Sequence, residues 1–151
     1  MKSFILPTEA ERLIREKLCQ TPSISCPLDR CSGRILREPI VSDRPFPPFD
    51  RSMMDGYAIR AAEINAEGIF NITDECAAGS PQITLSAEPR SCAEIMTGAI
   101  LPKDADCVVP YEASKLVAAK QIQLTDSTAH RTGACIHSLG SDRPAGETII
   151  E

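Results

Sequence analysis

Asp55 and Thr97 are the side chains of this sequence whose neighbours best suit them to chemistry. Asp55 precedes Gly56, so the backbone is expected to turn sharply there while the carboxylate projects from its loop, suited to holding a hydrated cation or accepting a proton. Asp-Gly is also an ordinary turn former, in which Asp55 caps its own loop. Thr97 is followed by Gly98 and Ala99, which sets a hydroxyl beside unhindered backbone N–H groups, the donors an oxyanion needs. An isolated Thr-Gly otherwise ends a strand and turns the chain. Asp50 and Ser52 share the segment of Asp55 and are expected to support its loop rather than react. His137 alone reads as a surface or satisfied histidine rather than a catalyst.

The segment that carries Asp55 runs Pro45-Phe46-Pro47-Pro48-Phe49-Asp50-Arg51-Ser52-Met53-Met54-Asp55-Gly56-Tyr57-Ala58-Ile59-Arg60. Prolines with fixed φ, polar side chains and one glycine in so short a stretch make a loop built to hold a carboxylate still. A net charge of -5 with scattered Lys and Arg supplies no basic footprint, which argues against nucleic acid or an anionic membrane as partner. Phe4-Ile5-Leu6 before Pro7 is too short for a secretory apolar region, and no run reaches membrane-spanning length. A cytoplasmic protein with reduced thiols is therefore expected. Cys19, Cys26, Cys31, Cys76, Cys92, Cys107 and Cys135 contain no Cys-x-x-Cys pair, so buried free thiols are the default and a zinc site is not. The sequon Asn71-Ile72-Thr73 is expected to be silent in that compartment.

The elements that must position these residues are short. Thr8 with Glu11 reads as a capping box, and Ala10, Leu13, Ile14 and Leu18 then share one helical face, giving an amphipathic helix over residues 8–19. A second short helix is expected from Pro27, with Leu28, Cys31 and Ile35 on its apolar side and Gly33 limiting its length. Ile40-Val41 reads as a strand. From Tyr57 onward the pattern is β-rich, with strands expected at 56–59, 69–73, 83–85, 93–96, 107–110, 115–118 and 121–125, and one helical turn at 61–66. With 4% aromatics and no Trp, the core must be aliphatic. The sequence stops at Glu151, directly after an apolar Thr148-Ile149-Ile150 and without a polar tail, so a longer polypeptide is expected.

The Pro-Pro-Phe-Asp-x-Ser-x-Met-Asp-Gly-Tyr-Ala string at residues 47–58 and the Met-Thr-Gly-Ala string at residues 96–99 resemble the two signatures of the MoeA/gephyrin family of molybdopterin molybdenumtransferases. The likeness runs from the first helix to Gly140-Ser141-Asp142 and includes Leu101-Pro102-Lys103-Asp104-Ala105-Asp106. It implies an α+β, β-rich fold with a small discontinuous first domain, residues 1–49 with 129–151, and an inserted β-rich second domain, residues 50–128. It implies a part in inserting molybdate into adenylylated molybdopterin with Mg²⁺ and release of AMP, in a homodimer. There Asp55 and Thr97 would act on a pterin held chiefly by a third domain that lies outside these residues, with Asp55 near the metal and Asp50, Ser52, Gly56, Gly98 and Asp142 supporting or contacting substrate. Where the family commonly carries basic residues before the final Gly-Ser-Asp, this sequence has His137, Ser138 and Leu139, which removes fixed positive charge from that strand. The competing readings are a non-catalytic dimeric scaffold derived from the same family and a cysteine-based metal or redox protein.

Overall fold

Pro7 begins the longest helix, α1 (Pro7–Lys17), because its fixed φ and missing N–H suit the first helical position. The expected capping box does not form: Leu6 is the N-cap, no side chain caps it, and Thr8 already lies inside the first turn. Glu9 stands at the positive end of the helix dipole and Arg15 and Lys17 at its negative end. Ion pairs Arg12–Glu9, Arg12–Glu16 and Arg15–Glu11 line its exposed face. No residue of α1 is buried, and Ile14 is 59% exposed. The second expected helix reduces to a 3₁₀ turn at Leu28–Arg30, since Leu28 and Ile35 are 90% and 85% exposed and no buried face sustains further turns.

The computed structural model describes residues 4–151, which divide into a unit ending at Pro39, to which Glu151 is assigned, and a unit Ile40–Ile150. The second unit is all β apart from two further 3₁₀ turns, at Ala61–Glu63 and Tyr111–Ala113. Its strands are β1 (Ile40–Val41), β2 (Arg51–Ser52), β3 (Gly56–Ile59), β4 (Ile69–Cys76), β5 (Ser91–Ile95), β6 (Cys107–Pro110), β7 (Ser114–Ala118), β8 (Gln121–Leu124), β9 (Ile136–His137) and β10 (Thr148–Ile150).

Six strands form one curled sheet in the order β6-β3-β5-β4-β8-β7, with β4 and β5 parallel and the other neighbours antiparallel. Period-two alternation gives this sheet two apolar faces. Tyr57, Ile59, Phe70, Cys92, Cys107, Val109, Ile122 and Leu124 pack on one, and Ala58, Cys76, Leu85, Ala93, Ile95, Ala99, Leu101 and Val108 on the other. β4 extends to Cys76, beyond the expected residue 73, because Asp74 to Cys76 pair in parallel with Ala93 to Ile95. The strand expected at 83–85 is a single bridge, Thr84 to Lys103. β1 pairs with β10 and β2 with β9, so residues 40–52 meet the returning residues 136–150.

The cysteines divide by place. Cys76, Cys92 and Cys107 lie on strands and are buried, as expected of free thiols. Cys19 and Cys31 are exposed and Cys26 and Cys135 half-buried, because none of these four belongs to the sheet. Among the described residues no helix is long and apolar enough to cross a membrane.

Candidate functional site

The start of β3 and the ends of β5 and β6 fall at one end of the sheet, since Gly56 is opposite both Ile95 and Pro110. Asp55, Thr97 and Tyr111 follow from that register. Asp55 Oδ1 accepts two hydrogen bonds from Thr97, from the backbone N–H at 2.7 Å and from the hydroxyl at 2.8 Å. The backbone N–H, then the hydroxyl, hold the Asp55 carboxyl below its usual range, so it is ionised at neutral pH. Both residues are exposed. Among the described residues Asp55 Oδ2 takes no hydrogen bond, which leaves one oxygen of a fixed carboxylate available to a cation or a proton.

The loop of Asp55 is clamped from two sides. On one, Ser52 N–H donates to Ala99 O (3.0 Å), Gly98 N–H to Ser52 O (2.9 Å), and Leu101 N–H to Asp50 O (2.9 Å). On the other, Met53 N–H donates to Cys135 O (2.9 Å), and Asp50 Oδ1 accepts from Leu139 N–H (2.7 Å). Ser52 is buried, and its hydroxyl folds the loop by donating to Met54 O and accepting from Met54 N–H. The turn Met96–Ala99 closes through Ala99 N–H to Met96 O (3.0 Å) with Gly98 at φ +81°, the type II geometry that calls for glycine.

Two expectations are corrected here. Gly56 does not provide a sharp turn, since it is the first residue of β3 and its φ is not positive. Its glycine is needed because a Cβ would lie 2.0 Å from the Val109 carbonyl oxygen of β6. Nor do Thr97, Gly98 and Ala99 make an oxyanion nest. The Thr97 N–H and hydroxyl are engaged by Asp55, and the Gly98 and Ala99 N–H groups by Ser52 and Met96. The nearby carboxylate would also repel an anion, so the Thr97 donors serve to orient Asp55.

Asp142 and His137 join a chain of polar groups that begins at Arg51. The Arg51 guanidinium lies 3.2 Å from His137 Nδ1, and His137 Nε2 lies 2.7 Å from Asp142 Oδ1. A guanidinium can only donate, so Nδ1 accepts, Nε2 carries the proton, and that N–H donates to Asp142. Arg51 thereby brings a fixed positive charge to β9 at His137, just before Ser138 and Leu139. Sequence reasoning passed over Arg51 because its partner lies on β9, 86 residues away. It also passed over Tyr111 and Glu94. Tyr111 N–H donates to Asp55 O (3.1 Å), its hydroxyl donates to Glu94 Oε1, and its ring packs edge-on to Tyr57 with centroids 5.2 Å apart. Burial first, then the bond to Glu94, pushes the Tyr111 phenol far above its usual value. The one available signal was position, since Glu94 and Tyr111 each adjoin a strand end that leads into the site.

Residues 5–151 match the family described as the MoeA N-terminal region (domain I and II). The chain belongs to this family. The MoeA fold is shared with the crystal structure of a molybdopterin biosynthesis MoeA protein from Pyrococcus horikoshii, at TM-score 0.82 and 28% identity over 95% of this chain and 38% of that one. Among curated relatives, the molybdopterin molybdenumtransferase of Synechocystis is 38% identical over 125 residues, 82% of this chain and 32% of that protein. Molybdopterin molybdenumtransferase 2 of Mycobacterium tuberculosis is 32% identical over 151 aligned residues, 94% of this chain and 35% of the relative. The MoeA N-terminal region thus accounts for about a third of the length of these relatives.

Among the described residues no group of three or more His, Cys, Asp or Glu side chains gathers as a metal site. Mg²⁺ commonly keeps several waters and takes one or two protein carboxylates together with substrate phosphates. The single open oxygen of Asp55 fits that sharing.

Proposed function

We propose that this chain is the N-terminal part of a molybdopterin molybdenumtransferase and contributes Asp55 and Thr97 to the insertion of molybdate into adenylylated molybdopterin. The observation that carries the reading is the double hydrogen bond from Thr97 to Asp55 Oδ1, which joins the two motifs across 42 residues and leaves one carboxylate oxygen open. Mg²⁺ held there would neutralise charge on phosphate and oxyanion, whose mutual repulsion otherwise opposes their approach. Thr97 orients the acceptor, Ser52 and Asp50 fix its loop, and His137, itself bonded to Asp142, holds the Arg51 guanidinium beside that loop.

The reaction needs the pterin-binding part of a longer polypeptide, in keeping with the third of the relatives that this chain spans. We place it in a cytoplasmic homodimer. The apolar side of α1 and its C-cap, with Ile14 and Leu18 59% and 71% exposed, support a protein partner for that helix. The discontinuous first domain, residues 1–49 with 129–151 around an inserted 50–128, is supported by the pairing of β1 with β10.

Asp55→Ala, made in a chain that carries the downstream domains, tests the reading. Molybdate insertion is expected to fall by at least about 100-fold, the usual scale for losing a positioned acid–base or electrostatic group, with expression and dimerisation unchanged. Insertion at the parental rate removes Asp55 from the mechanism. A dimer that binds neither molybdate nor pterin beside a supplied third domain would support the scaffold reading instead.

A further inference from the structure

We propose that Cys26 and Cys31 are a redox pair, whose side chains share one turn and close an intramolecular disulfide by exchange with a small-molecule disulfide. The two residues bracket the 3₁₀ turn Leu28–Arg30, whose N–H groups fold the chain back on itself: Arg30 donates to Pro27 O (2.9 Å) and Cys31 to Leu28 O (3.2 Å). The Cys31 thiol lies 3.3 Å from the Pro27 carbonyl oxygen and 3.7 Å from that of Cys26. The Cys26 thiol lies 3.3 Å from the carbonyl oxygen of Arg30, the residue that precedes Cys31. Each sulfur therefore reaches across the turn to the backbone beside the other. Cys31 is exposed and Cys26 half-buried, so a small disulfide has access.

The surroundings set when the pair reacts. Arg34 Nε donates to the same Arg30 carbonyl at 3.1 Å, which brings a cation to the Cys26 side of the turn. Partial burial, followed by the neighbouring Cys31, raises the Cys26 thiol above its ordinary value, and Arg34 opposes that rise. Exchange therefore accelerates toward alkaline pH. Burial pushes Cys92 up to about 12 and Cys107 up to about 11 inside the sheet, so those thiols do not compete.

The chemistry balances as follows. One of the two thiolates attacks one sulfur of the small disulfide, that S–S bond breaks, and the departing thiolate takes the electron pair and a proton. The other thiolate then attacks the protein sulfur of the mixed disulfide and expels the second small thiol. Two electrons and two protons pass from the protein to the small disulfide, and one S–S bond replaces another.

The test uses the chain with oxidised glutathione, followed by capping of remaining thiols and tryptic digestion without reduction. Arg30 lies between the two cysteines, so cleavage there leaves peptides 18–30 and 31–34 joined only by a disulfide. We expect that joined species, about 2 Da lighter than the summed peptides, in the parent and in Cys19→Ser. Cys31→Ser should stop at a glutathione adduct on Cys26. The proposal is overturned if the joined species persists in Cys26→Ser, which would make Cys19 the partner. It is overturned equally if the parent ends with separate adducts on Cys26 and Cys31, or with both thiols free. This inference is independent of the insertion reading.

Discussion

Gly56→Ala asks whether the loop of Asp55 is fixed by crowding or by backbone conformation. The added Cβ would lie 2.0 Å from Val109 O, 2.8 Å from Val109 C and 2.9 Å from Pro110 Cα. Carbon and carbonyl oxygen repel steeply inside about 3.2 Å, so β3 and β6 must part by roughly 1 Å or more. All three contacts are backbone atoms, held by the ladder that pairs Tyr57 with Val109 and Ala58 with Val108, so no rotamer change relieves them. Overpacking a tight site typically costs about 1–3 kcal/mol, and a collision between backbones belongs at the top of that range, so we expect about 3 kcal/mol. For a unit of roughly 100 residues each kcal/mol moves Tm by about 4–8 °C, which places the variant at least about 12 °C below the parent. Gly98 is the internal contrast. Its φ is +81° but a Cβ there meets nothing within 4 Å, so Gly98→Ala should cost only the left-handed penalty of about 1–2 kcal/mol. Thermal unfolding followed by circular dichroism reads both. A Gly56→Ala chain melting within about 3 °C of the parent, or a Gly98→Ala chain losing as much as Gly56→Ala, would refute the reasoning.

Tyr57 and Tyr111 are the only tyrosines and there is no Trp, so alkaline difference absorbance reports this pair alone. Burial raises both phenols, so neither should ionise near the ordinary value of about 10 while the chain is folded. Because these values are raised on folding, the stability they contribute is complete below about pH 10 and declines above it, and a normal native titration would contradict the geometry. Thr97→Val removes the hydroxyl donor but keeps the N–H, so the Asp55 carboxyl, followed by NMR, should titrate higher than in the parent yet still below the usual range. The parental contribution is present at neutral pH and is lost as pH falls through that depressed value; an unchanged midpoint would exclude the hydroxyl as a cause. Under a thiol-labelling pulse Cys31 should react well before Cys92 and Cys107, and equal labelling of the three would mean that the sheet opens readily.

The elements that were legible beforehand are those with local periodicity or a long motif. α1, β3, β6 and β8 lie within a residue or two of their expected places because alternation or helical spacing runs within each segment. Asp55 and Thr97 stood out through motif resemblance, and the pairing of Gly56 with Ile95, just inside them on β3 and β5, brings them together. β2, β9 and β10 were not legible, since strands of two or three residues carry no period and owe their existence to partners far along the chain. The same distance hid Arg51, whose role depends on His137. Gly56 was legible as an important glycine for the wrong cause: a positive φ and the close approach of another strand look alike in a sequence.

The strand order also sets a timetable for the nascent chain. β3 leaves the ribosome early but pairs with β5 and β6 rather than with β4, so the centre of the sheet waits for residues 107–110. β1 and β2 wait longer, for residues 148–150 and 136–137. Such non-local closure slows folding and leaves edge groups open to stray pairing in the meantime. A chain halted before Cys135 would already hold every strand of the six-stranded sheet, yet Met53 and Asp50 would lack the Cys135 and Leu139 backbone groups that complete their clamp. The scaffold of the site can thus form before the site itself, which is complete only once residues 135–139 close the second side of the Asp55 loop.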